Sequence, residues 1–126
     1  MRIKRDGKSN VARSGDSVII PVGVAHSWGN PFDEPAIIAV TLRPALRMET
    51  FFETFFGLAA DGRINPRTGL PSFLQFALLA HDFSAEIQAP GLGGAFTRGL
   101  AAVVAPLARA RGYRSVYPRY SEDAVM

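Results

Sequence analysis

The chain has no cysteine. That excludes disulfides, thiolate zinc sites, iron–sulfur clusters and cysteine nucleophiles. Histidine is scarce too, with His26 and His81 the only two. Long apolar runs are missing: the most apolar stretch, Leu100 to Ala108, is too short to span a bilayer. Extending it back to Leu92 adds three glycines and Arg98, and Pro106 interrupts it. The first eight residues carry charge but no apolar segment, so the sequence predicts no signal peptide and a soluble, cytoplasmic protein. Internal repeats and low-complexity tracts are absent. Gly91-x-Gly93-Gly94 has no strand running into it and no P-loop lysine after it, which argues against a phosphate cradle.

Present instead is the composition of an ordinary globular protein of one folding unit: 126 residues, 48% apolar and 20% charged. Nine phenylalanines form a heavy aromatic load that calls for a core or an interface. Net charge is +3, and the excess is local. Residues 98 to 119 hold five arginines (Arg98, Arg109, Arg111, Arg114 and Arg119) and no acid. Such a tail could meet phosphate or an anionic membrane surface. Five arginines over that length are sparse, and a solvated helix end complementing the helix dipole accounts for them. No nucleic-acid partner is expected.

The chain divides near Pro44. Before it, Asp6-Gly7 between extended segments predicts a β-hairpin of Met1–Arg5 with Lys8–Arg13, since a type I′ turn needs positive φ at both central residues. Ser14-Gly15-Asp16 predicts a second turn, and Ser17–Ile20 a buried strand. Pro21-Val22-Gly23 turns the chain into a strand over Val24–Trp28, where a period of two puts Val24, His26 and Trp28 on one face. Ala36–Leu42 is the clearest strand sequence of all. After Pro44 the period changes. Phe51, Phe52, Phe55, Phe56 and Ala59 mark a helical face over 47–60, and Pro71 opens a helix over 72–83 that is apolar nearly all round. Residues 89–94 read as a flexible break. A third helix follows over 95–111, with Pro106 a kink and Gly112 the C-cap. Tyr113–Tyr120 reads as irregular, and the last six residues as frayed.

Gly15, Pro21, Gly23, His26 and Asn30 fit the pattern Gly-x5-Pro-x-Gly-x2-His-x3-Asn. This resembles the second sequence motif of the cupin superfamily. More loosely, the stretches Phe51 to Gly62, Gly69 to Gln75 and Ala105 to Arg114 look like the helical tail of some small cupin-like bacterial proteins. The resemblance implies a β-barrel with His26 pointing inward as a metal ligand. The family's first motif, Gly-x5-His-x-His-x3–4-Glu-x6-Gly, has no counterpart here: the residues up to Asp16 contain neither His nor Glu. The chain therefore looks like a cupin without its first strands. A half sheet with an open apolar face needs cover, from the helices or from a second copy, so a homodimer is expected.

A lone imidazole does not hold a metal, which needs about three protein ligands. His81 with Glu49 or Glu53 could supply partners to His26, and two His26 could meet across a dimer. The simpler reading of His26 is a barrel-lining residue bonded to backbone or water. Asp82 could orient His81, but neighbours on a helix do not face each other. The expected architecture is thus α+β: a partial cupin-type antiparallel sheet over residues 1–44, then about three helices over residues 45–126. The expected function is small-molecule binding around Val24, His26 and Trp28, with no cofactor. The alternatives are a metal-dependent enzyme whose remaining ligands are missing from this chain, of dioxygenase or isomerase type, and a dimeric interaction module.

Overall fold

A computed structural model describes residues 1–88 and 91–121. The elements run β1 (Arg2–Arg5), β2 (Lys8–Val11), β3 (His26–Gly29), α1 (Met48–Ala60), β4 (Ile64–Asn65), β5 (Leu70–Pro71), α2 (Phe73–Asp82) and α3 (Gly91–Ala110), then a 3-10 turn at Pro118–Tyr120. They form two units, Met1–Thr41 and Leu42–Met126. The architecture is α+β, with small antiparallel sheets and three helices. Among the described residues no barrel closes, and no helix is long and apolar enough to cross a membrane.

In Met1–Thr41 the Asp6-Gly7 hairpin forms as its dipeptide requires. Both residues have positive φ, 52° and 75°, and Arg5 pairs with Lys8. β1 is the centre of a three-stranded sheet, flanked by β2 and by β3. The turns of the glycine-rich motif are also in place. Gly15 has φ 87°, and Asp16 Oδ2 accepts from the Arg13 amide. Gly23 has φ 80°, and the Val24 amide donates to the Pro21 carbonyl, closing a type II turn. Asn30 folds onto the chain after it, its Oδ1 accepting from the Phe32 amide and its Nδ2 donating to the Glu34 carbonyl.

Two strand expectations fail. Ser17–Ile20 and Ala36–Leu42, the most β-branched segments, lie in no ladder. Strand propensity measures fit to a half-buried pleated surface rather than a preference of the backbone alone. Without a neighbouring strand to pair with, these runs stay irregular, and Ile37 is fully exposed. Met1–Thr41 buries no residue completely.

The helical unit carries the core. Leu58, Leu79 and Phe83 form one cluster with Phe51, Phe55, Ile64, Tyr117 and Tyr120 against it; Leu78, Ala105 and Ala108 form another with Leu74 and Tyr113. Fully burying each of the large residues stabilises the fold by about 1.5–3 kcal/mol. The face of α1 is not the predicted phenylalanine ladder. Phe51, Thr54, Phe55 and Leu58 turn inward, while Phe52 and Phe56 stack on each other outside. The sequence pattern fixes a helix but leaves a rotation of one residue open, because four phenylalanines in two adjacent pairs satisfy either face.

α1 and α3 end alike. Gly62 (φ 69°) and Gly112 (φ 83°) each follow a helix whose last carbonyls accept in a Schellman pattern: Arg63 to Leu58 and Gly62 to Ala59, Tyr113 to Ala108 and Gly112 to Arg109. α3 begins at Gly91, so Gly91–Gly94 are helical rather than a break; residues 89 and 90 lie outside the described residues, as do 122–126 of the expected frayed end. The stretch from Tyr113 to Tyr120 is docked rather than loose. Tyr117 and Tyr120 pack on the core cluster, and the Tyr117 hydroxyl donates to the buried Gln75 at 2.8 Å.

Candidate functional site

The sheet of Met1–Thr41 places the predicted residues. Residues paired directly across antiparallel strands share a face. Ile3 pairs with Asn10 on one side and with Trp28 on the other; Arg5 pairs with Lys8 and with His26. One face therefore carries Ile3, Arg5, Lys8, Asn10, His26 and Trp28.

His26 and Trp28 stack on that face, ring centroids 5.6 Å apart and planes 22° from parallel. His26 Nδ1 lies 2.8 Å from the Val24 carbonyl. A carbonyl only accepts, so Nδ1 carries the proton and Nε2 is left with a lone pair in the neutral ring. Val24 thus contributes through its backbone, and its side chain is half-buried. Trp28 is 48% exposed, a flat apolar plate with one side open. The turn at Pro21–Val24 sets this arrangement, since it delivers the Val24 carbonyl next to the first residue of β3.

Arg5, which sequence reading passed over, stands on the same face directly across from His26. Its Nη1 donates to the Ile19 carbonyl at 2.7 Å, holding the guanidinium over the sheet. Nothing local in the sequence marks it, because its place opposite His26 follows from a pairing 21 positions apart. A recess of about 190 Å³ beside β1 and β2 is lined by Ile3, Arg5, Asn10, Val11, Asp16 and Val18 among others, and not by His26 or Trp28. It is smaller than the roughly 300–1,000 Å³ of typical ligand pockets.

No family model matches the chain, and neither does any curated protein or solved structure.

A metal at His26, which the sequence resemblance implies, does not fit the donor set. Among the described residues no three His, Asp or Glu side chains gather where an ion could sit. His26 offers a single nitrogen, and no step can be derived through a metal held by one ligand.

His81 and Asp82 do meet, contrary to the expectation for helical neighbours. His81 Nδ1 lies 2.7 Å from Asp82 Oδ1. Asp82 is the last residue of α2, and its side chain is free to fold back where the helix stops. The same carboxylate accepts from Arg109 Nη2 at 2.5 Å and from Ser115 Oγ at 2.5 Å, and the Asp82 carbonyl accepts from Arg47 Nη2. Burial pushes the Asp82 carboxyl up, but the hydrogen bonds from Ser115, His81 and Arg109 together outweigh it and hold it below the usual range. An aspartate-oriented imidazole is a general-base arrangement. Here the serine bonds to the aspartate and not to the imidazole, so no nucleophile stands in line. The cluster joins the end of α2 to α3 and to the segment after it.

Two of the five tail arginines are therefore structural. Arg109 pairs with Asp82, and Arg119 pairs with Asp61 at 2.6 Å while lying over the Tyr120 ring at 4.7 Å. Arg47 belongs to the same scheme, with its guanidinium 4.7 Å above Phe83 and bonded to Glu86.

Proposed function

We propose that Met1–Thr41 is a cupin-like half sheet that binds a small molecule of mixed polarity on the face of Ile3, Arg5, His26 and Trp28. The carrying observation is the His26–Trp28 stack with His26 Nδ1 tied to Val24, which presents an acceptor nitrogen beside an open aromatic plate. Arg5, directly across from His26, adds a cation. A ligand suited to the three has a flat apolar body for Trp28, an anionic group for Arg5 and a hydrogen-bond donor for His26. Small hydroxylated carboxylic acids have that form. The match to the second cupin motif, from Gly15 to Asn30, supports the same reading.

Trp28 is the sole tryptophan, so its fluorescence reports on this face alone. Titration with 4-hydroxybenzoate and related small acids is expected to change Trp28 emission saturably. His26→Ala or Arg5→Ala is expected to weaken the response about tenfold, a loss of roughly 1.4 kcal/mol. An emission unchanged by every acid at millimolar concentration would sink the proposal.

A second reading, an interaction module, is favoured by one observation: Met1–Thr41 buries no residue completely while Ile19, Val22 and Ile37 are exposed. A sheet in that condition gains from cover by a second subunit.

A further inference from the structure

α3 carries its large apolar residues on the side away from its own core. Its small residues Gly94, Ala101, Ala105 and Ala108 are buried, and Ala105 and Ala108 cluster with Leu78 of α2. Leu92, Phe96, Leu100, Val103 and Leu107 are 91%, 73%, 40%, 77% and 47% exposed. At 3.6 residues per turn these five fall within an arc of about 80°, on the far side from the alanines. An ordinary surface helix shows the reverse, with apolar residues inward and polar ones outward.

The stripe has the form of a helix–helix seam. Its arc is narrower than the stripe that a helix lays on a core, and a lipid-surface helix pairs its apolar side with a strongly charged one. The face opposite this stripe is mostly alanine and glycine, with Ala105 and Ala108 packed on α2 and only Arg98 and Arg109 charged at its edge, Arg109 being paired with Asp82. From Phe96 to Leu107 the apolar spacings are four, three and four, the alternation of coiled-coil contacts. That order reads the same from either end. Two copies running antiparallel about a two-fold axis between residues 101 and 102 would set Phe96 against the partner's Leu107 and Leu100 against the partner's Val103. The charges permit it. α3 has arginine and no acid, and the same operation sets Arg98 across from the partner's Ala105 and Arg111 across from the partner's Leu92, so no guanidinium faces another.

We propose that α3 is a self-association helix whose occupant is a second copy of this chain, docked antiparallel through Phe96, Leu100, Val103 and Leu107. The contact is apolar and lacks ion pairs, so it is insensitive to salt. It is also short, which places its affinity in the micromolar range rather than the nanomolar. This inference does not rest on ligand binding by the β unit, and neither result decides the other.

Sedimentation velocity of the full chain from about 1 to 100 µM is expected to show dimer, unchanged in 1 M NaCl. Val103→Glu changes an exposed position, so far-UV circular dichroism should be unaltered while dimerisation weakens at least tenfold. The absence of native cysteine allows a register test that needs no charge reversal. Phe96→Cys mixed with Leu107→Cys is expected to oxidise to the mixed disulfide faster than either variant pairs with itself. Three results would overturn the proposal. One is a Val103→Glu dimer as tight as wild type, which places the contact on another face. Another is preferential self-pairing of Phe96→Cys, which indicates a parallel pair. The third is a chain that stays monomeric at 100 µM; if that chain binds phosphatidylserine vesicles and is released by salt, a lipid surface is the occupant.

Discussion

The Tyr120 ring lies over Gly57 so closely that a Cβ at Gly57 would fall inside contact distance of three ring carbons. A glycine in the middle of α1 would otherwise weaken the helix by about 1 kcal/mol relative to alanine. Its presence here has a packing cause: the absent side chain leaves a seat for the tyrosine.

Gly57→Ala should therefore destabilise, against the usual sign for a helix. The propensity gain of about 1 kcal/mol is outweighed by overpacking of about 1–3 kcal/mol and by displacement of the Tyr120–Asp61 hydrogen bond. A fall in melting temperature of several degrees is expected by circular dichroism. In a Tyr120→Ala background the same substitution should stabilise, and the double-mutant cycle measures the contact directly.

Acid should loosen the helical unit through two carboxylates. Asp61 is held low chiefly by the Tyr120 hydroxyl, with Arg119 adding to it, and Asp82 is held low by Ser115, His81 and Arg109 against its burial. A carboxyl that ionises more readily folded than unfolded contributes fully above its unfolded value of about 3.9. The contribution is lost as pH falls through the lower, folded value. Melting temperature should hold nearly level between about pH 7 and 5 and drop below about pH 4. Asp82→Asn should cost about 1–3 kcal/mol at pH 7 and flatten the acid limb.

Gln75 is buried at the junction of three segments. Its Nε2 donates to the Arg114 carbonyl at 2.7 Å, and its Oε1 accepts from Tyr117. Gln75→Ala leaves a carbonyl and a hydroxyl without their partner and opens a cavity, so a loss of about 2–4 kcal/mol is expected in chemical denaturation. Tyr117→Phe removes one bond and should cost about 1 kcal/mol.

Trp28 should show solvent-exposed emission and ready quenching by acrylamide in the free protein, consistent with its open ring. His26→Ala removes the stacked imidazole and should raise acrylamide access further, because one more side of the indole is then open. A wild-type Trp28 that is fully shielded would contradict the exposed face.

Legibility in the sequence followed the range of the interactions. Asp6-Gly7 and Pro21-Val22-Gly23 were readable because a turn is decided by the conformational needs of two or three neighbouring residues. The first helix was readable from its apolar period, the second from Pro71 and the apolar run after it, and the third ahead of Gly112, whose cap role follows from the chemistry of positive φ. Ala36–Leu42 misled because a strand is a property of a pair, and no pairing partner is written into its own residues. The position of Arg5 across from His26 went unnoticed for the same reason, since it follows from a strand pairing. Tyr117 and Tyr120 looked like loose aromatics in an irregular stretch, yet their partners Gln75, Gly57 and Asp61 lie 42 to 63 positions earlier. That His26 and Trp28 share a face was legible from alternation alone, which puts positions two apart on one side of a strand.

The seat at Gly57 also orders events in time. α1 is synthesised long before residues 117–120 that close over it, and Arg119 reaches back 58 positions to Asp61. Contacts of such separation form late, after local helices are in place. Phe51, Phe55 and Leu58 receive Tyr117 and Tyr120 as the last part of their cover. The cover of one end of the helical unit is thus supplied by a segment more than 50 positions away, and a chain ending before Tyr117 would leave that apolar surface partly open.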